Sequence, residues 1–355
     1  MKKKSDLRAK RKGIVALLTA LFVLLFTVGC SDEDFEDYEE YEASEEYDED
    51  EYADEYANEY TDEDYEAYED DEADDYEESE DVANAGARDF LSEDDYPRGT
   101  GDTLEGKIVV LSIFLNDNTT SWDLNSEADI DTITKLSRNM GIAMDWITEQ
   151  GKQYGKDIEF IYNWDDDSEL FNVIDIDCDF SKDESQTPEV KMLLDENFVE
   201  VSNKLLDRYD AENIIYAMYL NEKSDTKMTC QAMPYYGTEL GYNMPYEAVC
   251  LTNWVYEAEQ GPATYAHEIL HLFGAPDYYV ADTMGENHGI TQEFVDYCEN
   301  SDLINEIMYS TYDPYTNTIP MDAVTNDLSD LTAYYLGWTD ECSLIEEFGL
   351  DENRQ

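Results

Sequence analysis

The chain has 355 residues, with 88 acidic against 21 basic side chains and a formal charge of −67 at pH 7. Such an excess of carboxylates repels a polyanion and excludes nucleic acid as a partner. The length would accommodate two domains, but the composition of the first hundred residues argues against a packed core there.

Residues 1–30 read as an export signal. Lys2, Lys3, Lys4, Arg8, Lys10, Arg11 and Lys12 precede an apolar run from Gly13 to Val28, which is short for a membrane span. The run ends in Thr27-Val28-Gly29-Cys30. This resembles the lipobox of bacterial lipoproteins, with Thr27 where a leucine-like residue is usual. The resemblance implies a lipidated Cys30, two acyl chains for stable anchoring, and an extracytoplasmic chain tethered to the cell membrane. From Ser31 to Asp81 the chain carries 31 Asp and Glu, nine Tyr and no Lys or Arg. Self-repulsion and a lack of aliphatic residues predict an extended, disordered tether through residue 88. It would span roughly 200 Å at about 3.4 Å per residue. A solvated spacer is favoured over a tail that binds cations or a basic partner. Residues 1–30 carry +6 and residues 31–81 carry −31, which leaves −42 for residues 82–355. That charge suits solubility, divalent ions or a basic substrate.

Beyond Cys30 there are five cysteines, Cys178, Cys230, Cys250, Cys298 and Cys342. The odd number leaves one unpaired within the chain. No C-x-x-C spacing marks a thiolate metal site. Cys230 and Cys250 flank a loop rich in Gly, Pro and Tyr, and a bridge between them is one expectation.

Residues 89–104 form a linker, 105–340 a single α/β (α+β) domain with a mixed sheet, and 341–355 a tail. Lys107–Leu115 is apolar nearly throughout, as a strand buried on both faces would be. Ile130–Gln150 is predicted helical from Ile133, Leu136, Met140, Ala143 and Ile147. Ile158–Trp164 is a second strand. Asp165–Asp179 reads as a solvated acidic loop: it fails the EF-hand pattern, with Phe180 at the glycine position and Gln186 at the final glutamate. A Ca²⁺ site of another geometry stays open. Pro188 to Arg208 is a second helix and Asn213–Leu220 a third strand. Met228–Pro245 is irregular. Tyr246–Thr252 is a further strand, expected at the sheet edge, where an extended peptide can pair.

Two of the three histidines of the chain lie in His267-Glu268-Ile269-Leu270-His271-Leu272-Phe273-Gly274-Ala275-Pro276-Asp277. On a helix, positions i and i+4 share a face, so His267 and His271 aim at one point and supply half of a tetrahedral Zn²⁺ site. Glu268 lies about 100° further round, out of the ligand set but in reach of a water there. Pro262 suits the first turn of this helix, and Ala266, Ile269, Leu270 and Phe273 form its apolar side. Gly274 suits the helix end and Pro276 prevents its resumption. The turn favours Asp277 as third ligand; His288 and then Glu293 are the alternatives, and His288 would otherwise touch the substrate.

This segment resembles the signature of the metzincin zinc metalloproteases, in the variant with Asp as third ligand. Glu306-Ile307-Met308-Tyr309-Ser310 resembles their Met-turn. Leu331-Thr332-Ala333-Tyr334-Tyr335-Leu336-Gly337-Trp338, together with Gly274-Ala275-Pro276-Asp277, is similar to segments of immune inhibitor A-like peptidases. The resemblance implies an apolar floor from Met308 and a hydroxyl from Tyr309 or Tyr312 at the metal or oxyanion. Ser310 stands where some metzincins place that tyrosine. The implied activity is a surface-anchored zinc endopeptidase with Glu268 as general base, acting on a peptide or protein. The alternative is a non-catalytic surface lipoprotein on the same scaffold, binding substrate or cations.

Overall fold

The computed structural model describes residues 104–179, 187–211, 213–221, 230–234, 246–255, 258–282 and 287–352. The export signal, Cys30, the acidic tether, the linker before Leu104, Phe180, Gln186 and most of Met228–Pro245 lie outside the described residues.

The scaffold is a mixed six-stranded sheet. β1 (Gly106–Asn116) pairs in parallel with β2 (Ile158–Ile161) through its first half and with β3 (Phe171–Asp175) through its second. On its other side β1 pairs in parallel with β4 (Asn213–Leu220), which pairs in parallel with β6 (Glu247–Thr252). β5 (Gln231–Met233) closes the sheet, antiparallel to β6. β7 (Trp254–Val255) and β8 (Ala258–Glu259) make a small hairpin before the histidine helix. β1, β4 and β6 are apolar on both faces and buried throughout their centres, the pattern of parallel strands covered on both sides. Phe114 anchors the core, its ring 4.7 Å from Tyr219, 4.9 Å from Phe171 and 5.2 Å from Trp122.

The helices are α1 (Glu127–Gln153), α2 (Thr187–Asn197), α3 (Val199–Tyr209), α4 (Pro262–His271), α5 (Gln292–Glu299), α6 (Asp330–Tyr335) and α7 (Ser343–Phe348). Ser126 caps α1 by accepting from the Asp129 N–H. The buried stripe Ile133, Leu136, Met140, Ala143, Ile147 is the one its period predicted. α1 packs against α4, and the Asn139 amide donates to the Gln260 carbonyl at 3.0 Å, just before α4 begins. Among the described residues no helix is long and apolar enough to cross a membrane.

Five expectations need correction. The acidic segment Asp165–Asp179 is not a plain loop, because Phe171–Asp175 inside it forms β3; buried Leu170 and Phe171 outweigh the flanking charges. Its acids do not gather round a calcium site either. Asp167 and Glu169 pair with Arg208, and Asp175 and Asp177 accept from Asn116 and Asn118. The helix expected from Pro188 to Arg208 is two, broken at the buried Phe198, whose backbone leaves helical geometry (φ −121°). Lastly, β6 is an interior strand; the edge is β5, from within the segment read as irregular. The Cys230–Cys250 bridge is absent as well: neither thiol is in a disulfide.

Candidate metal centre

Gly261, in extended conformation, precedes Pro262 at the first position of α4, where a missing N–H costs nothing. Every residue from Pro262 to Leu270 is buried, with Ala266, Ile269, Leu270 and Phe273 wholly inaccessible. The helix ends where Gly274 adopts φ +93°, a conformation that costs a side-chain-bearing residue about 1–2 kcal/mol. The Gly274 N–H donates to the His271 carbonyl at 3.1 Å and the Ala275 N–H to the Leu270 carbonyl at 3.2 Å. The chain thus doubles back and carries Asp277 over the two histidines.

Three atoms converge there. The Nε2 atoms of His267 and His271 are 3.0 Å apart, and Asp277 Oδ1 lies 3.1 Å from each. Oδ1 is buried, yet no hydrogen bond satisfies it. The other face of each ring settles the tautomer. His267 Nδ1 donates to the Ile307 carbonyl at 2.9 Å, and His271 Nδ1 donates to the Ala275 carbonyl at 2.7 Å. With the proton on Nδ1, the neutral ring presents the Nε2 lone pair inward, as metal-binding histidines do. Among the described residues this is the only group of three such side chains able to hold a metal ion, all ligand atoms lying within 4.8 Å of one another. The cluster is strongly polarised. Burial opposes charge on His267, but the carboxylates of Asp277 and Glu268 outweigh it and raise its pKa from 6.5 to about 9. Burial likewise opposes charge on Asp277, and the two imidazoles nevertheless hold its carboxyl well below the usual range.

A cleft of about 340 Å³ opens on these side chains. Glu268 lines it without joining the three. Its carboxylate accepts the Ala232 N–H of edge strand β5, and burial raises its pKa above 4.5 despite the nearby imidazoles. Such a group is poised to take up a proton. Tyr279 stands at the mouth, half exposed, its ring 6.3 Å from that of His267 and 24° from parallel. Its hydroxyl bonds to the Asp277 carboxylate.

The other sequence candidates fall elsewhere. His288 lines the cleft but stays outside the convergent three, its ring 4.7 Å from that of Tyr335. Glu293 is exposed on the first turn of α5. Met308 is fully buried, and the turn that holds it is brought to the site by Ile307, whose carbonyl takes the His267 proton. Neither Tyr309 nor Tyr312 lines the cleft; Tyr312 is 43 % exposed. Sequence reasoning missed Tyr279, Asn287 and the Ala232 N–H. Tyr279, two residues past the expected ligand Asp277, carried a positional signal; the other two carried none, since one acts through amide geometry and the other through main chain.

A scan of protein-family models and a search of curated protein sequences returned no match to this chain.

Proposed function

We propose that the chain is a zinc-dependent endopeptidase of metzincin type. The observation that carries this reading is the convergence of His267 Nε2, His271 Nε2 and Asp277 Oδ1 beside the Glu268 carboxylate, in one cleft. Two imidazoles and a carboxylate are the donors of many catalytic zinc sites. Ligands of a tetrahedral zinc stand about 3.4 Å apart for bonds of about 2.1 Å, close to the 3.0–3.1 Å found here. The orphaned Oδ1 of Asp277 and the outward-bonded Nδ1 atoms are the marks of a site built for a cation.

His267, His271 and Asp277 would hold the ion. Zinc bound there supplies a Lewis acid and a water of lowered pKa. Glu268 takes a proton from the attacking water and returns it to the leaving amine. Tyr279, rather than Tyr309 or Tyr312, is the hydroxyl placed to donate to the developing oxyanion. Among the described residues β5 is the last strand of the sheet on the side of the cleft, and an extended peptide would bind beside it by strand addition. The charge of −42 over residues 82–355 favours basic substrates. Residues 1–30 support export and a lipid anchor at Cys30, with the acidic stretch as spacer on the cell surface.

The test is metal analysis followed by proteolysis of an unfolded substrate. One zinc per chain is expected, with activity lost on chelation, restored by zinc, and abolished in Glu268→Ala with its zinc retained. A zinc-loaded Glu268→Ala variant as active as the wild type would leave only a binding protein on this scaffold.

A further inference from the structure

Asp277 differs from the two histidines in how it is held. The histidines stand on a buried helix, whereas Asp277 lies past the helix, on irregular chain. The next residue is tied down, the Tyr278 N–H donating to the Met308 carbonyl at 2.9 Å, but both polar groups of Asp277's own backbone go to one side chain. Asn287 Oδ1 accepts the Asp277 N–H at 3.1 Å, and Asn287 Nδ2 donates to the Asp277 carbonyl at 2.9 Å. The same Nδ2 donates to the Val280 carbonyl at 2.9 Å. One amide therefore grips both polar groups of the ligand residue and ties off the segment that follows it. Among the described residues no other bond to the backbone of Asp277 is present.

Asn287 is itself braced. Its carbonyl takes the Ile290 N–H at 3.0 Å, within a turn where His288 and Gly289 have φ of +50° and +65°. The Gly289 N–H donates to Asp282 Oδ2 at 2.8 Å. The C-terminal chain crosses the turn: the Asp351 N–H donates to the His288 carbonyl at 2.9 Å, and the Tyr335 hydroxyl to the Asp351 carbonyl at 2.9 Å.

We propose that Asn287 is the positioning residue of the metal centre, orienting Asp277 so that its carboxylate meets the two imidazoles. This rests on the reading of His267, His271 and Asp277 as metal ligands. Asn287 does not touch the ion; it removes the conformational freedom that a ligand on a loop would otherwise lose on binding. Its amide is needed in both senses, since an acceptor alone cannot hold the carbonyls of Asp277 and Val280.

The experiment is a double-mutant cycle on zinc affinity, measured with the full chain by competition against a chromophoric chelator. Asn287→Ala is expected to bind one zinc about ten- to a hundredfold more weakly than wild type. The visible spectrum of its Co²⁺ form should change, while the Tm of the metal-free protein should stay close to that of wild type. In an Asp277→Ala background the same substitution should have no further effect, because its action runs through Asp277. Equal affinity in Asn287→Ala and wild type, or an equal loss in both backgrounds, overturns the proposal. Should the alanine variant not fold, Asn287→Asp carries the same cycle: it keeps the acceptor, loses both donors and adds a negative charge, so weaker binding there can only be geometric. A wild-type chain that takes up no zinc is a different result, one that removes the metal reading itself.

Discussion

The Nδ1 of His267 and the carbonyl of Ile307 meet at 2.9 Å across 40 residues of sequence. This bond makes the turn at Met308 part of the histidine's support, and the turn is in turn organised by Glu306. That wholly buried carboxylate accepts from the Met308 N–H, the Ser329 N–H and hydroxyl, and the Thr332 hydroxyl. It thereby joins the turn to the first turn of α6.

Replacing Glu306 by alanine strands these donors in the interior, and a loss on the order of 3 kcal/mol is expected in denaturant unfolding. Glu306→Gln should lose less. The pH dependence separates charge from shape. Burial outweighs the four donors and raises the pKa of Glu306 above 4.5. Between 4.5 and that raised value the folded chain holds a proton that the unfolded chain has released. The contribution of this group is therefore fully present below 4.5 and lost as pH rises through the folded value. The stability of wild type relative to Glu306→Gln should decline over that window; a difference that grows with pH would show the carboxylate to be better solvated than its burial implies.

Tyr279→Phe removes only a hydroxyl. Acting on the oxyanion, that hydroxyl should cost about a hundredfold in kcat when lost, with KM nearly unchanged. The same substitution at Tyr312 should leave both parameters alone. Equal kinetics for Tyr279→Phe and wild type would return the oxyanion role to the metal alone.

Ala232→Pro tests what the sheet edge gives Glu268. The Ala232 N–H is a donor to the Glu268 carboxylate, and proline at this position removes it. Because that N–H serves the general base, the expected result is a fall of about tenfold in kcat, the worth of one hydrogen bond, with zinc content unchanged. Undiminished peptide hydrolysis would show that Glu268 does not depend on this donor.

Trp338→Phe should lower stability by about 1–3 kcal/mol. It leaves the Leu104 carbonyl, which accepts from the indole N–H at 2.7 Å, without its donor. Thermal unfolding of the metal-free chain reads this directly.

How far the sequence could be read depended on the range of each interaction. The period of Ile133, Leu136, Met140, Ala143 and Ile147 is local, and α1 formed on that stripe. The spacing of His267 and His271, and the offset of Asp277 past Gly274, are local too, and the three side chains meet. β5 was invisible because three residues amid Gly, Pro and Tyr carry no usable period, and their pairing with β6 is set by tertiary packing. Adjacency in sequence also misplaced the edge: the strand next to the histidine helix in the chain is interior in the sheet. The break at Phe198 left no mark in the sequence, because an apolar residue there continues the helical pattern and only its dihedrals depart from it. Tyr309 and Tyr312 were proposed by analogy of position, whereas the tyrosine at the cleft is set by the turn after Gly274.

The Leu104–Trp338 bond has a mechanical side. Leu104 also donates its N–H to the Leu336 carbonyl at 3.3 Å, so the first described residue is stitched at both of its polar groups to a segment more than 230 positions later. Among the described residues, a pull applied at Leu104 meets this stitch before it reaches β1. The clasp must open before the strand can be drawn out of the sheet. The seam that closes the domain is thus also its strain relief, and an applied force would test Trp338 before it tested the histidines.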